Sequence, residues 1–159
     1  MRRHVYFYTY IQRPLEQLAE RFGGDPGGWL PAPAEAAEGG WLVGVHADGA
    51  LPTVVAGHTT WIGVGGLGVA GDGEALLREV EWRSASRERM IPVLEGDLEL
   101  ASVNGHGCQL SLMGSYRPPM SVMGDAGDRL FGHRVAEACV RRFVLDVADR
   151  LAGMVILPA

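Results

Sequence analysis

Residues 121–151 read SVMGDAGDRLFGHRVAEACVRRFVLDVADRL, and the reading of this stretch decides the fold. Apolar or small side chains at Ala136, Cys139, Val140, Phe143, Val147 and Leu151 recur at the spacing of one helical face. Arg134, Glu137, Arg141, Arg142, Asp146 and Asp149 fall mostly on the other side. The spacing predicts one long amphipathic helix, about 36 Å long if residues 128–151 are helical. A rod with a single apolar stripe needs a broad apolar surface to bury it. The strand-rich middle of the chain is the candidate.

Working outward, the chain of 159 residues suits one domain, 1–159, with a core that needs no staples. Its 47% hydrophobic and 21% charged residues argue against disorder. With 19 acidic and 14 basic residues, the net charge of −5 argues against a nucleic-acid partner, which requires a phosphate-neutralising face. Every basic residue is arginine, so there is no lysine for Schiff-base chemistry. Cys108 and Cys139 read as buried thiols in a reducing cytoplasm, which sets the expected localisation. The start, MRRHVYFYTYIQRP, places two arginines before an apolar run. That run is too short and too rich in tyrosine for a signal peptide, and no small-residue cleavage site follows. No stretch approaches the ~20 apolar residues of a membrane span. The ending GMVILPA reads as a surface tail.

In chain order, Val5 to Ile11 is β-branched and aromatic and reads as a strand. Val5, Phe7, Thr9 and Ile11 share one face. Tyr6, Tyr8 and Tyr10 share the other, which would either stand in solvent or seat a partner subunit, a homodimer included. Pro14 and Glu16 open a short helix with Leu15, Leu18, Ala19 and Phe22 on its apolar face, and Gly23 stops it. Asp25-Pro26 repeats the start signal for a second short helix containing Trp29 and Leu30. The run PAPAEAAEGG reads as a loop. Strands are then expected at about 41–47, 53–60, 61–69, 76–84, 91–103 and 107–117. Turn signals at Asp48-Gly49, Gly71-Asp72-Gly73 and Asn104-Gly105 separate most of them. Residues 97–100 and 109–112 alternate polar and apolar, as half-buried antiparallel strands do.

This order of elements resembles the helix-grip superfamily, also called START-like, Bet v-like or SRPBCC. Ile11-Gln12-Arg13-Pro14 is similar to that family's exit from the first strand into a proline-initiated helix. VEWR (80–83), IPVLEGDLEL (91–100), CQLSLMGSYRPP (108–119) and DRLFGHRVAEACVRRFV (128–144) resemble an uncharacterised bacterial branch. The resemblance spans about residues 4–152 and implies an α+β fold. About seven antiparallel strands form a curved sheet around the long C-terminal helix, with two short helices after the first strand. It further implies a hydrophobic cavity between sheet and helix. Members bind lipids, sterols, polyketides, plant hormones or quinones, some cyclise or dehydrate polyketides, and others activate chaperones. Fold does not choose among these.

Alternation places Phe7, Thr9, Val80, Trp82, Leu98, Leu100, Leu110, Leu112 and Tyr116 on the concave, ligand-binding side. Val140 and Phe143 face them from the helix, and Trp61 is a further aromatic candidate for the lining. Among groups able to do chemistry there, His58, Tyr116 and Arg78 are the catalytic candidates, as a base near neutral pH, an acid and an anion holder. Arg13 and Arg117 join Arg78 as rim positions able to hold a carboxylate or phenolate.

Gly63-Val64-Gly65-Gly66-Leu67-Gly68 satisfies the dinucleotide fingerprint, but that motif requires a helix directly after the glycines. A turn follows instead, so the glycines read as a bend or bulge in a curved strand. Glu95, Asp97 and Glu99 share one face of a strand opposite Leu98 and Leu100, which reads as a solvated outer surface. None of His4, His46, His58, His106 and His133 pairs with another at ligand spacing, and no CxxC or HExxH occurs. The residues imply neither a metal nor a cofactor. Three functions remain open: binding of a small, largely hydrophobic molecule, a polyketide cyclase, aromatase or dehydratase using the same cavity, and an interaction module.

Overall fold

A computed structural model of the chain describes residues 2–32, 34–45, 58–84, 93–117 and 126–153. Strand β1 (Arg3–Ile11) leads into helix α1 (Leu15–Gly23) and a 3-10 turn (Pro26–Gly28). Strands β2 (Ala34–Ala37), β3 (Gly40–Val45), β4 (His58–Ala70), β5 (Ala75–Ser84), β6 (Val93–Val103) and β7 (Gly107–Arg117) follow, and helix α2 (Ala126–Gly153) ends the described chain. All seven strands form one sheet in the order β1-β7-β6-β5-β4-β3-β2, and every pairing is antiparallel. This is the helix-grip arrangement.

Period-two alternation gives the sheet its inner face, and cross-strand pairing sorts that face into rows. One row holds Tyr116, Leu94, Trp82 and Ile62, and the next holds Val5, Gly114, Gly96, Val80 and Val64. A third holds Phe7, Leu112, Leu98 and Arg78, and a fourth Thr9, Leu110, Leu100 and Leu76. Helix α2 covers them with Ala136, Cys139, Val140, Phe143, Val144, Val147 and Leu151, all buried. The Phe143 ring meets Trp82 edge-on, with centroids 5.2 Å apart. Each large side chain so buried contributes roughly 1.5–3 kcal/mol. On the outer face Tyr6, Tyr8 and Tyr10 stand exposed along β1, Tyr6 tilted against Tyr8 and Tyr8 edge-on to Tyr10, with ring centroids 5.9 and 5.6 Å apart.

Three expectations are corrected. PAPAEAAEGG is not all loop, because Ala34–Ala37 pairs with Gly40–Val43 as an edge strand. The strands expected at 53–60 and 61–69 are not separate: β4 runs unbroken from His58 to Ala70, while 53–57 lie outside the described residues. The second short helix is a single 3-10 turn that ends before Trp29, which is buried against Phe22 with centroids 5.4 Å apart. The Asp48-Gly49 turn and the 154–159 tail also lie outside the described residues.

The glycines of the dinucleotide-like motif form a β-bulge. Val64 pairs with Val80 and Leu67 with Arg78, so Gly65 and Gly66 oppose Glu79 alone. Elsewhere Gly96 faces Gly114 across β6 and β7. A Cβ on Gly96 would sit 2.6 Å from the Met113 carbonyl oxygen, and one on Gly114 would sit 2.6 Å from that of Glu95. Only bare backbone fits where the strands close this tightly. Gly96→Ala is therefore expected to cost about 1–3 kcal/mol, read as a lower midpoint in urea unfolding followed by circular dichroism.

Candidate functional site between sheet and helix

The inner face and α2 enclose a lining that is apolar over most of its extent. Phe7, Thr9, Val80, Trp82, Leu98, Leu100, Leu110, Leu112 and Tyr116 all stand on that side, opposite Val140 and Phe143. Trp61 does not, which corrects its place in the lining. It is one residue out of step with the buried Ile62, so it projects from the outer face, donates from Nε1 to the Glu38 carbonyl at 3.2 Å and carries Arg83 over its ring. Val5 and Leu94 belong to the inner face by the same alternation and were not singled out from the sequence.

Polar groups gather at one end of this interior. Tyr116 is buried, and its hydroxyl is hydrogen-bonded to Arg3, its cross-strand neighbour. Burial pushes the Tyr116 phenol above its ordinary range; Arg3 opposes the shift and the Glu137 carboxylate adds to it, so the group stays protonated. Trp82, two strands along the same row from Tyr116, and its diagonal neighbour Thr60 are both 0% exposed. Among the described residues neither Thr60 Oγ1 nor Trp82 Nε1 has a hydrogen-bond partner; Trp29 Nε1 and Arg150 Nε, elsewhere in the fold, share that condition. An orphaned buried polar group costs roughly 1–3 kcal/mol, so native interiors rarely hold one without a purpose. Thr60 escaped the sequence reading because the strand boundary drawn at 60/61 hid its alternation with Ile62.

Arg78 proves to be a structural clamp, not a rim residue. Only 7% exposed, it donates from Nη1 to the Phe22 and Gly24 carbonyls and from Nε to the Gly65 carbonyl, each at 2.9 Å. Its guanidinium also lies 5.7 Å from the centre of the Trp29 ring. Burial pulls its pKa below the ordinary value, opposed by the Asp25 carboxylate. The bulge leaves the Gly65 carbonyl outside the regular ladder, and the end of α1 exposes its last carbonyls; one guanidinium satisfies both. Arg13 and Arg117 are exposed. His58 opens β4 opposite Val45, and its side chain lies outside the described residues.

An open groove of about 610 Å³ lies on the outer face, bordered by Trp61, Glu79, Glu81, Glu95 and Asp97. Arg83 pairs with Glu81 and Arg2 with Glu95, and none of the unpartnered buried polar atoms borders it, so it is a solvated surface and a poor candidate beside the interior. Among the described residues no three or more His, Cys, Asp or Glu side chains gather as metal ligands, and no helix is long and apolar enough to cross a membrane.

No protein-family model matches the sequence, and no curated protein is similar to it. Solved structures are similar in fold. The Zhui aromatase/cyclase from Streptomyces sp. R1128 aligns over 97% of this chain and 93% of its own, with 15% identity and a TM-score of 0.53. Truncated norcoclaurine synthase from Thalictrum flavum aligns over 100% and 96%, with 10% identity and a TM-score of 0.56. A conserved protein from Geobacillus kaustophilus aligns over 95% and 96%, with 11% identity and a TM-score of 0.54. The chain shares with these structures the helix-grip fold that the sequence resemblance implied.

Two outcomes are expected. Arg78→Met leaves three carbonyls without their donor and should lower stability by about 3 kcal/mol in urea unfolding. Cys139, buried on α2, has its thiol pKa pushed up to about 12 from the ordinary 9.0 by burial. Above pH 9 the unfolded chain releases a proton that the folded chain keeps. Stability therefore falls as pH rises from about 9 to 12, by up to ~1.4 kcal/mol per pH unit from this group. Burial raises Cys108 and Tyr116 as well, so they add to the slope with the same sign. Cys139→Val should flatten the slope without removing it, measured by urea titrations at pH 8, 9 and 10.

Proposed function

We propose that the chain, acting as one domain, binds a small, largely apolar molecule between the inner face of its sheet and α2, without transforming it. The observation that carries this reading is an apolar inner face that holds two buried, unpartnered polar atoms, Thr60 Oγ1 and Trp82 Nε1, beside Leu94 and Phe143. Apolar walls with a few convergent polar groups are the general recipe for a small-molecule site. The likeness in fold to an aromatase/cyclase and to norcoclaurine synthase supports it at the level of architecture.

The second reading is an enzyme of the polyketide cyclase, aromatase or dehydratase type. Tyr116 favours it: a buried, protonated phenol held by Arg3 is suited to donate a proton or a hydrogen bond to a bound molecule. Arg78 weighs against it, because three backbone carbonyls already occupy this candidate.

Native mass spectrometry of protein purified from its own host is expected to show a retained small molecule that leaves on denaturation. Val80→Phe, which adds bulk to the middle row, should abolish retention while the circular dichroism spectrum stays unchanged. A retained molecule returned unaltered after incubation with the protein supports binding alone; conversion that is lost in Tyr116→Phe supports the enzyme. A bare chain in every preparation, with no affinity for apolar probes, sinks both.

A further inference from the structure

Resting on the interior site proposed above, we infer that its ligand is a neutral carbonyl compound, a ketone, quinone or ester on an apolar body, whose oxygen is received by Thr60 Oγ1 and Trp82 Nε1. Both atoms are fully buried and unpartnered. Ile62 pairs with Trp82 and Thr60 with Ser84, so Thr60 and Trp82 are diagonal neighbours on β4 and β5. Such neighbours stand about 7–8 Å apart at the backbone, within joint reach of one small group. Phe143 packs edge-on against the Trp82 ring, which holds the indole in the interior under α2.

The donor set decides the chemistry. An indole N–H only donates, so the partner must present an acceptor, and a carbonyl oxygen has two lone pairs to take both an N–H and an O–H. A hydrocarbon would leave both groups orphaned. A carboxylate would need a counter-charge, because neither group here carries one. Arg3 lies three strands away from Trp82 along its row, on the order of 14 Å. Arg78 is four residues along β5, roughly 13 Å distant, with its donors already spent on Phe22, Gly24 and Gly65. Among the described residues, a neutral acceptor is what remains.

Three probes of one shape test this: 2-acetonaphthone, 2-isopropenylnaphthalene and 2-naphthoate, titrated calorimetrically into the full chain. The ketone is expected to bind about tenfold tighter than the hydrocarbon, equivalent to ~1.4 kcal/mol, with the carboxylate weakest. Its carbonyl stretch should move to lower wavenumber when bound. Thr60→Val, which keeps the side-chain shape, should erase most of the preference and of the infrared shift. Trp82→Phe should do the same, and Thr60→Val alone decides the matter if that variant fails to fold. Equal binding of ketone and hydrocarbon, as when a trapped water satisfies both groups, overturns this assignment but leaves the cavity standing. So does a preference that survives Thr60→Val. Binding of none of the three overturns the cavity itself, and this assignment with it.

Discussion

A sheet with one largely apolar face cannot stay open to water, and here a single element is long enough to close it. Helix α2 spans 28 residues, about 42 Å, and lays an unbroken stripe from Ala136 to Leu151 along the inner rows. The helix runs nearest to β1 and β7, and the edge-on contact between Phe143 and Trp82 ties it to β5 as well. Everything proposed for the interior depends on this engagement. It shields the inner rows from solvent and gives the buried polar atoms at one end their low-dielectric setting.

The opposite end is held by charge. A buried guanidinium is tolerable only where fixed acceptors replace its hydration, and Arg78 finds three backbone carbonyls from two separate elements. The bulge in β4 and the C-terminal end of α1 thus depend on one another. The bulge supplies a carbonyl that a regular strand would have used, and α1 supplies its unpaired last ones. The two ends of the inner face therefore differ in kind. One is organised around a guanidinium that answers three carbonyls, with the Trp29 indole N–H beneath it unpartnered; the other keeps the Thr60 hydroxyl and the Trp82 indole unanswered.

Much of this was legible in the sequence, because two physical signals are strong and local. The helical period of 136–151 and the alternation of 97–100 and 109–112 hold in the structure, as does the bulge read from glycines that lack a following helix. The misreadings share another cause: tertiary pairing overrode composition. Ala34–Ala37 is poor in strand-forming residues and is a strand only because β3 lies beside it. Trp61 was drawn inward by its size, although a single step of alternation from Ile62 sends it out. Arg78 was read as rim charge although it alternates in phase with Val80 and Trp82, because no local signal announces three distant carbonyls.

The sheet order carries a consequence for how the chain assembles. Among the described strands β1 pairs only with β7, Arg3 against Tyr116, so it finds its ladder partner far along the chain. Until about residue 117 is available, an aromatic segment of nine residues has no native neighbour. Contacts separated by so much chain close late and slowly, since the loop entropy comes due before any reward. The aromatic β1 ribbon thus joins the sheet only once β7 is in place, which makes its docking a late step at which a partly folded chain is prone to misassociation.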